Sequence, residues 1–189
     1  MAQSAKMAIA FVGMPGSGKS VCAEYMAQQG FYKYRFGQIV VDEVHHRGLS
    51  LTPLNERMVR EDIRNGEGIN AIAQRALPHL QTALQAHDVI IIDGLYGFGE
   101  YKLLQSTLGV PLVLIAVFTS RHLRYQRLAS RTERPLTNEE ARTRDYREIE
   151  NLEKGGPIAI ADYTILNDDT REELIERLEQ LLERIGIRS

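Results

Sequence analysis

Gly13-Met14-Pro15-Gly16-Ser17-Gly18-Lys19-Ser20 is the stretch on which the fold of this chain turns. It fits the spacing G-x-x-x-x-G-K-[ST], in which glycines let successive backbone N–H groups close around phosphate oxygens. The flanks agree with that reading. The apolar run Ala8–Val12 leads into the loop as a strand. A helical stretch follows it, with Val21, Tyr25 and Met26 as apolar positions and Gly30 as a stop. The start of that helix offers its positive end to an anion. Lys19 is expected to reach the β- and γ-phosphates of a nucleotide and the Ser20 hydroxyl to ligate Mg²⁺, while the backbone from Gly13 through Val21 wraps the phosphates. ATP and Mg²⁺ are therefore the expected cofactors.

Beyond the loop, apolar runs of strand length alternate with helical patterns. The runs are Met7–Val12, Phe31–Phe36, Val89–Ile92, Leu112–Phe118 and Tyr163–Leu166. Consecutive apolar residues such as Val89-Ile-Ile-Ile92 suit strands covered on both faces, as in a parallel sheet. Short strands alternating with longer helices read as βαβ units. Near the end, Thr170 and Glu173 form a capping-box pattern, Leu174, Leu178, Leu181 and Ile185 line one face, and Gly186 marks the stop. The expectation is one domain over residues 1–189, an open α/β sheet of about five strands with helices on both faces. Two excursions leave that frame, at about 38–80 and 121–150, and such sheets hold ligands at the carboxyl ends of their strands.

The third run ends in Asp93-Gly94. An acid closing a buried strand beside a P-loop suits Mg²⁺ held through water, or orientation of the acceptor; an Asp opening a turn before glycine gives the same pattern.

Composition narrows the function classes. The 189 residues are 43% hydrophobic and 25% charged, ordinary for a folded globular chain. A net charge of −2 gives no overall basic field, so neither a nucleic-acid polymer nor an anionic membrane is an expected partner. The longest apolar run, Val110–Phe118, is too short to cross a bilayer. Met1–Lys6 leads into only a short apolar stretch, so no secretion signal is read, and a cytoplasmic location is expected. The single cysteine, Cys22, is read as core packing.

Charge is nonetheless unevenly spread. Between Arg121 and Arg147 stand eight arginines and no lysine, against four acids. Arg127, Arg131 and Arg134 fall near one helix end, Pro135 breaks the helix, and Thr137 with Glu140 caps a new one carrying Arg142, Arg144 and Arg147. Two arginine-bearing helices joined at Pro135 make a lid over phosphates, since guanidinium stays charged and binds phosphate bidentately. A solvated arginine face gives the same pattern. In the other excursion Arg57, Arg60 and Arg64 share a helical face, with Leu54, Met58, Val59 and Ile63 as the apolar face. Acceptor contact and simple i,i+4 pairing (Glu56–Arg60, Arg57–Glu61) are both open there. The adjacent His45 and His46 diverge on one element and are read as surface residues.

With these features in place, the chain resembles the nucleoside monophosphate kinase-like group of P-loop kinases. Two branches come closest: dephospho-CoA kinase, and a set of small archaeal and bacterial nucleotide kinases related to adenylate kinase. Shared stretches include Gly13–Ser20, Phe36-Gly-Gln38 and Gly155-Gly-Pro-Ile-Ala-Ile-Ala-Asp-Tyr163. The resemblance implies a P-loop NTPase fold with strand order 2-3-1-4-5, an acceptor-binding excursion at 38–80 and a lid at 121–150. Lys19 and Asp93 are read as catalytic from the loop and the strand end, and the resemblance implies that Arg127 and Arg131 serve the donor phosphates and Arg144 the transferring group. Ala161-Asp162-Tyr163 through Asn167 is implied to border the adenine pocket. Dephospho-CoA kinases carry an acid after the second strand to take a proton from a hydroxyl; Tyr34-Arg-Phe-Gly-Gln38 has none before Asp42. A phosphate acceptor is already an anion and needs no base. The expected activity is therefore ATP-dependent phosphorylation of a small nucleotide-like acceptor, a nucleoside monophosphate first. Dephospho-CoA is the alternative acceptor, and an ATP-binding switch without an acceptor is the alternative from another class.

Overall fold

The computed structural model describes residues 6–187; residues 1–5, which open the segment read for a secretion signal, lie outside them. Five parallel strands form one sheet in the order β2-β3-β1-β4-β5: β1 (Met7–Val12), β2 (Tyr32–Arg35), β3 (Val89–Asp93), β4 (Leu112–Phe118) and β5 (Tyr163–Leu166). This is the open parallel sheet expected from the apolar runs, in the P-loop NTPase strand order that the family resemblance implied. β1 lies in the middle, with Ala10 opposite Ile92 on one side and Leu114 on the other.

Strand residues alternate between two buried faces. Ala8, Ala10, Val12, Ile90 and Ile92 point into one core with residues of α2 (Gly37–His46), α3 (Pro53–Glu67), α4 (Ala71–Ala86) and α5 (Phe98–Thr107). Ile9, Phe11, Ile91, Ile115 and Val117 point into the other. There they meet Cys22, Ala23 and Met26 of α1 (Lys19–Gln28) and Leu174, Leu178, Leu181 and Leu182 of α9 (Arg171–Arg184). Every strand position in the centre is therefore apolar, which explains the unbroken runs in the sequence.

The helix ends follow local chemistry. Thr170 accepts from Glu173 N and Thr137 from Glu140 N, both at 3.2 Å, and each glutamate reaches back to its cap. The region 38–80 becomes α2, α3 and the first part of α4. The region 121–150 becomes α6 (Arg121–Ala129) and α7 (Asn138–Leu152), and the short α8 (Gly155–Ala159) precedes β5.

Two expectations are corrected here. On α1 the buried face is Cys22, Ala23 and Met26, with Val21 and Tyr25 only half-buried. On α3 only Val59 and Ile63 are buried; Leu54 and Met58 are exposed, because this helix meets the body along a narrow stripe. Among the described residues, no helix is long and apolar enough to cross a membrane.

Candidate active site

The loop Gly13–Gly18 closes over the end of β1, and its shape is held from outside. Asn167, just past β5, donates its side-chain amide to the Ser17 carbonyl at 2.8 Å. The Thr119 hydroxyl, just past β4, lies 3.0 Å from the same carbonyl and 2.9 Å from that of Asn167. Gly18 has φ of 101°, and a Cβ there would sit 2.3 Å from the Asn167 amide nitrogen, so both backbone and space demand glycine. No side chain caps α1. The N–H groups of Lys19 and Ser20 thus have no intrahelical partner and point to where an anion belongs, while those of Val21 and Cys22 reach the Gly18 carbonyl.

Lys19 is half-buried above the loop, its Nζ 3.5 Å from the Met14 carbonyl. Burial, helped by the nearby charges of Lys154 and Arg144 and opposed by Glu148 and Asp93, pushes its pKa down to about 7.

Around it lies an ionic layer contributed by four elements. Glu148 on α7 accepts from Arg144 Nε at 2.9 Å and forms a second ion pair with Lys154. Burial opposes the Glu148 charge, but Lys154 and Arg144 outweigh it and hold its carboxyl below the usual range. Lys154, only 2% exposed, stands 4.5 Å from the centre of the Tyr96 ring. Burial raises the Tyr96 pKa, as does Asp93, while Arg144 and Arg60 act the other way, so Arg60 of α3 belongs to the same cluster. Arg131 is close enough that burial and the Arg144 charge both lower its pKa.

The arginines divide by partner. Ion pairs tie Arg57 to Glu61, Arg134 to Glu56, Arg142 to Glu139 and Arg144 to Glu148. Arg60 and Arg131 are left without an acidic partner among the described residues. The expected Glu56–Arg60 pair is not formed, because Glu56 is taken by Arg134 from across the gap. Arg127 points elsewhere: it donates to the carbonyls of Asn167 and Asp169, at 2.9 and 3.1 Å, and to the Thr119 hydroxyl at 3.3 Å. Arg124, read from sequence only as one of eight arginines, is 6% exposed and donates to the Pro15 carbonyl at 3.0 Å.

The structure thus brings Lys19, Asp93 and Arg144 together, with Arg131 beside Arg144. It places Asn167 and Arg127 together at the back of the loop, their polar groups engaged in bracing it. His45 and His46 lie exposed on α2, and Cys22 is buried in the core with its thiol pushed up to about 12 by burial. Lys154, Glu148 and Tyr96 were not legible from sequence, since only the packing of α7 and α8 on the sheet buries their charges together.

Mg²⁺ fits the donor set. Ser20 presents an exposed hydroxyl in the first turn of α1, and Asp93 a half-buried carboxylate within the field of Lys19. No group of three His, Cys, Asp or Glu among the described residues could cage a metal alone. Two hard oxygen donors, with the rest from phosphate and water, is the usual environment of Mg²⁺.

The chain is similar to known proteins in sequence and in fold. A family profile described as an AAA domain matches residues 9–153. A UPF0200/UPF0201 protein of Archaeoglobus fulgidus is 34% identical over 180 residues, 94% of this chain but 55% of that protein, so the chain spans about half of its length. A UPF0200 protein of Thermococcus onnurineus is 35% identical over 182 residues, covering 95% of this chain and 98% of the relative. Among solved structures, the shikimate kinase of Bacteroides thetaiotaomicron superposes with a TM-score of 0.63 at 12% identity, covering 96% of this chain and 99% of that one. That likeness is one of fold.

Proposed function

The chain belongs to the UPF0200 family, and we propose that it is an ATP-dependent kinase that passes the γ-phosphoryl group to a small phosphate-bearing acceptor, a nucleoside monophosphate. The observation that carries this reading is the cation layer facing Lys19. Among the described residues Arg60 and Arg131 have no acidic partner, and Arg144 and Lys154 share one carboxylate, Glu148. Such a layer is short of negative charge, and two facing phosphates supply it.

Phosphoryl transfer asks the protein mainly for position and electrostatics. The loop amides and the α1 terminus would hold the donor phosphates, and Lys19 would bridge to the γ-phosphoryl oxygens. Ser20 and Asp93 would hold Mg²⁺, which when bound neutralises charge on the β- and γ-oxygens. Arg144 and Arg131 would face the transferring group from α7 and the end of α6, which act as the lid. Arg60 would draw the acceptor phosphate toward it from α3. A phosphate oxygen attacks as an anion, so no side chain has to accept a proton. A hydroxyl acceptor such as dephospho-CoA is the second reading; the half-buried Asp93 carboxylate near Lys19 favours it as a base.

The test is ADP release from Mg·ATP across all ribo- and deoxynucleoside monophosphates and dephospho-CoA, with Lys19→Ala alongside and mass spectrometry of products. One acceptor gaining a phosphate, silent in the mutant, supports the kinase. ATP binding with no acceptor-stimulated turnover overturns it in favour of an ATP-dependent switch.

A further inference from the structure

Behind Tyr96, a cavity of about 160 Å³ opens between the end of α3, the start of α5 and the last turn of α7. Its volume equals that of about five waters at liquid density. Three of the polar residues that line it, Glu100, Arg64 and Asn70, do not satisfy one another; Glu150, Asn151 and Glu153 at the end of α7 border it as well. Glu100, 2% exposed, spends Oε2 on the Tyr96 and Gly97 N–H groups, at 3.0 Å each, and leaves Oε1 with no hydrogen bond. Arg64 Nε is likewise buried and unpartnered, and Arg64 Nη2 stops 3.8 Å from Glu100 Oε1. Asn70 stands at the N-cap of α4, yet its side chain caps nothing.

Leaving such groups unmade inside a protein costs about 1–3 kcal/mol each, more for charged ones. Their arrangement here specifies a complement. Glu100 Oε1 needs a donor, Arg64 Nε needs an acceptor, and the flanking Gly97 and Gly99 with the exposed Ile69 favour something flat. A donor and an acceptor on adjacent atoms of a neutral ring are what the hydrogen-bonding edge of a nucleobase presents. The cavity also lies beside the phosphate-facing layer: Arg64 senses Arg60, Tyr96 and Glu148, and Glu100 senses Lys154.

We infer that this cavity is the acceptor's specificity pocket, with Glu100, Arg64 and Asn70 reading the edge of its nucleobase. The inference rests on the kinase reading above and names the part of the acceptor that decides which substrate turns over. Sites built to hydrogen-bond a substrate discriminate strongly, because a wrong ligand leaves buried polar groups unpaired.

The experiment compares wild type, Glu100→Gln and Asn70→Ala with AMP, GMP, CMP, UMP, dTMP and ribose 5-phosphate as acceptors. Equilibrium dialysis of the corresponding free nucleosides, without ATP, runs beside it. Glu100→Gln is expected to raise KM for the preferred nucleotide about tenfold or more and to flatten the base ranking, with KM for ATP and KM for ribose 5-phosphate held. Asn70→Ala is expected to shift KM in the same direction; its side chain supports no helix cap, so this variant keeps the test valid if Glu100→Gln folds poorly. An unchanged base ranking, or an equal loss with ribose 5-phosphate, overturns the pocket and leaves the kinase standing. Nucleoside binding that depends on Glu100 without any turnover overturns the kinase and upholds the pocket. No nucleoside binding and no turnover overturns both, and the cavity then holds water.

Discussion

The guanidinium of Arg124 grips both oxygens of the Asp145 carboxylate, at 3.0 and 2.7 Å, and also donates to the Pro15 carbonyl at 3.0 Å. One side chain thereby joins α6, α7 and the phosphate loop. Both partners are almost fully buried, so the pair can be broken only by leaving a charge inside.

Replacing Arg124 with Met leaves Asp145 buried and unpaired. The loss of stability is expected to be about 3–5 kcal/mol by urea denaturation. The double variant Arg124→Met with Asp145→Leu is expected to regain most of it, since no charge is then stranded. A double variant as unstable as the single one refutes this account.

Lys19→Met separates function from stability. Turnover is expected to fall by about 10²–10³-fold, because a positioned charge on the transferring group is lost. The free protein is expected to melt higher, since the buried lysine near Lys154 and Arg144 is unfavourable without an anion; each 1 kcal/mol corresponds to about 2–4 °C. Calorimetry showing a lower Tm contradicts it.

The lowered Lys19 pKa makes nucleotide binding take up protons. Its pKa is about 7 in the free protein against an ordinary 10.5, so at pH 8 it is mostly neutral until phosphate oxygens restore the charge. Titration calorimetry in buffers of different ionisation enthalpy should find close to one proton taken up per ATP at pH 8 and little at pH 6, with the pH 8 uptake absent in Lys19→Met. The sign for stability follows. Below pH 7 the buried ammonium is charged and its penalty is full. As pH rises from about 7 toward 10.5 the folded state binds fewer protons than the unfolded one, so this group's contribution to stability rises.

Gly18 and Gly30 have similar φ values, 101° and 93°, but different surroundings. A Cβ at Gly18 would collide with the Asn167 amide at 2.3 Å, whereas at Gly30 it meets nothing within 4 Å. Gly30→Ala should cost only the backbone term, about 1 kcal/mol. Gly18→Ala should displace Asn167 from Ser17 and weaken ATP binding at least about tenfold, read by fluorescence titration. Equal effects on ATP affinity at the two positions refute the steric account.

Much of this was legible in the chain itself. Ala8–Val12 and Val89–Ile92 are apolar at every position because both faces of the sheet are covered, so apolar runs located the central strands, while the edge strand β2 mixes polar and apolar residues. Thr137 and Thr170 announced their helices because capping is a contact over three residues. The α3 face failed for the opposite reason: Leu54 and Met58 fit an amphipathic pattern, but they stay 73% and 40% exposed. The contacts of Arg127 were not legible either, since its donors meet carbonyls 40 and 42 residues away.

The sequence by itself determined the phosphate loop, the parallel sheet and the helix ends, because each depends on neighbours along the chain. Tertiary structure alone decided which charges matter. Lys154 and Glu148 become a buried pair, Arg124 becomes the brace of the loop, and Glu100 with Arg64 becomes an unsatisfied pocket only when distant helices exclude water from them. Burial sets the strength of a charge, and burial is a property of the packed molecule.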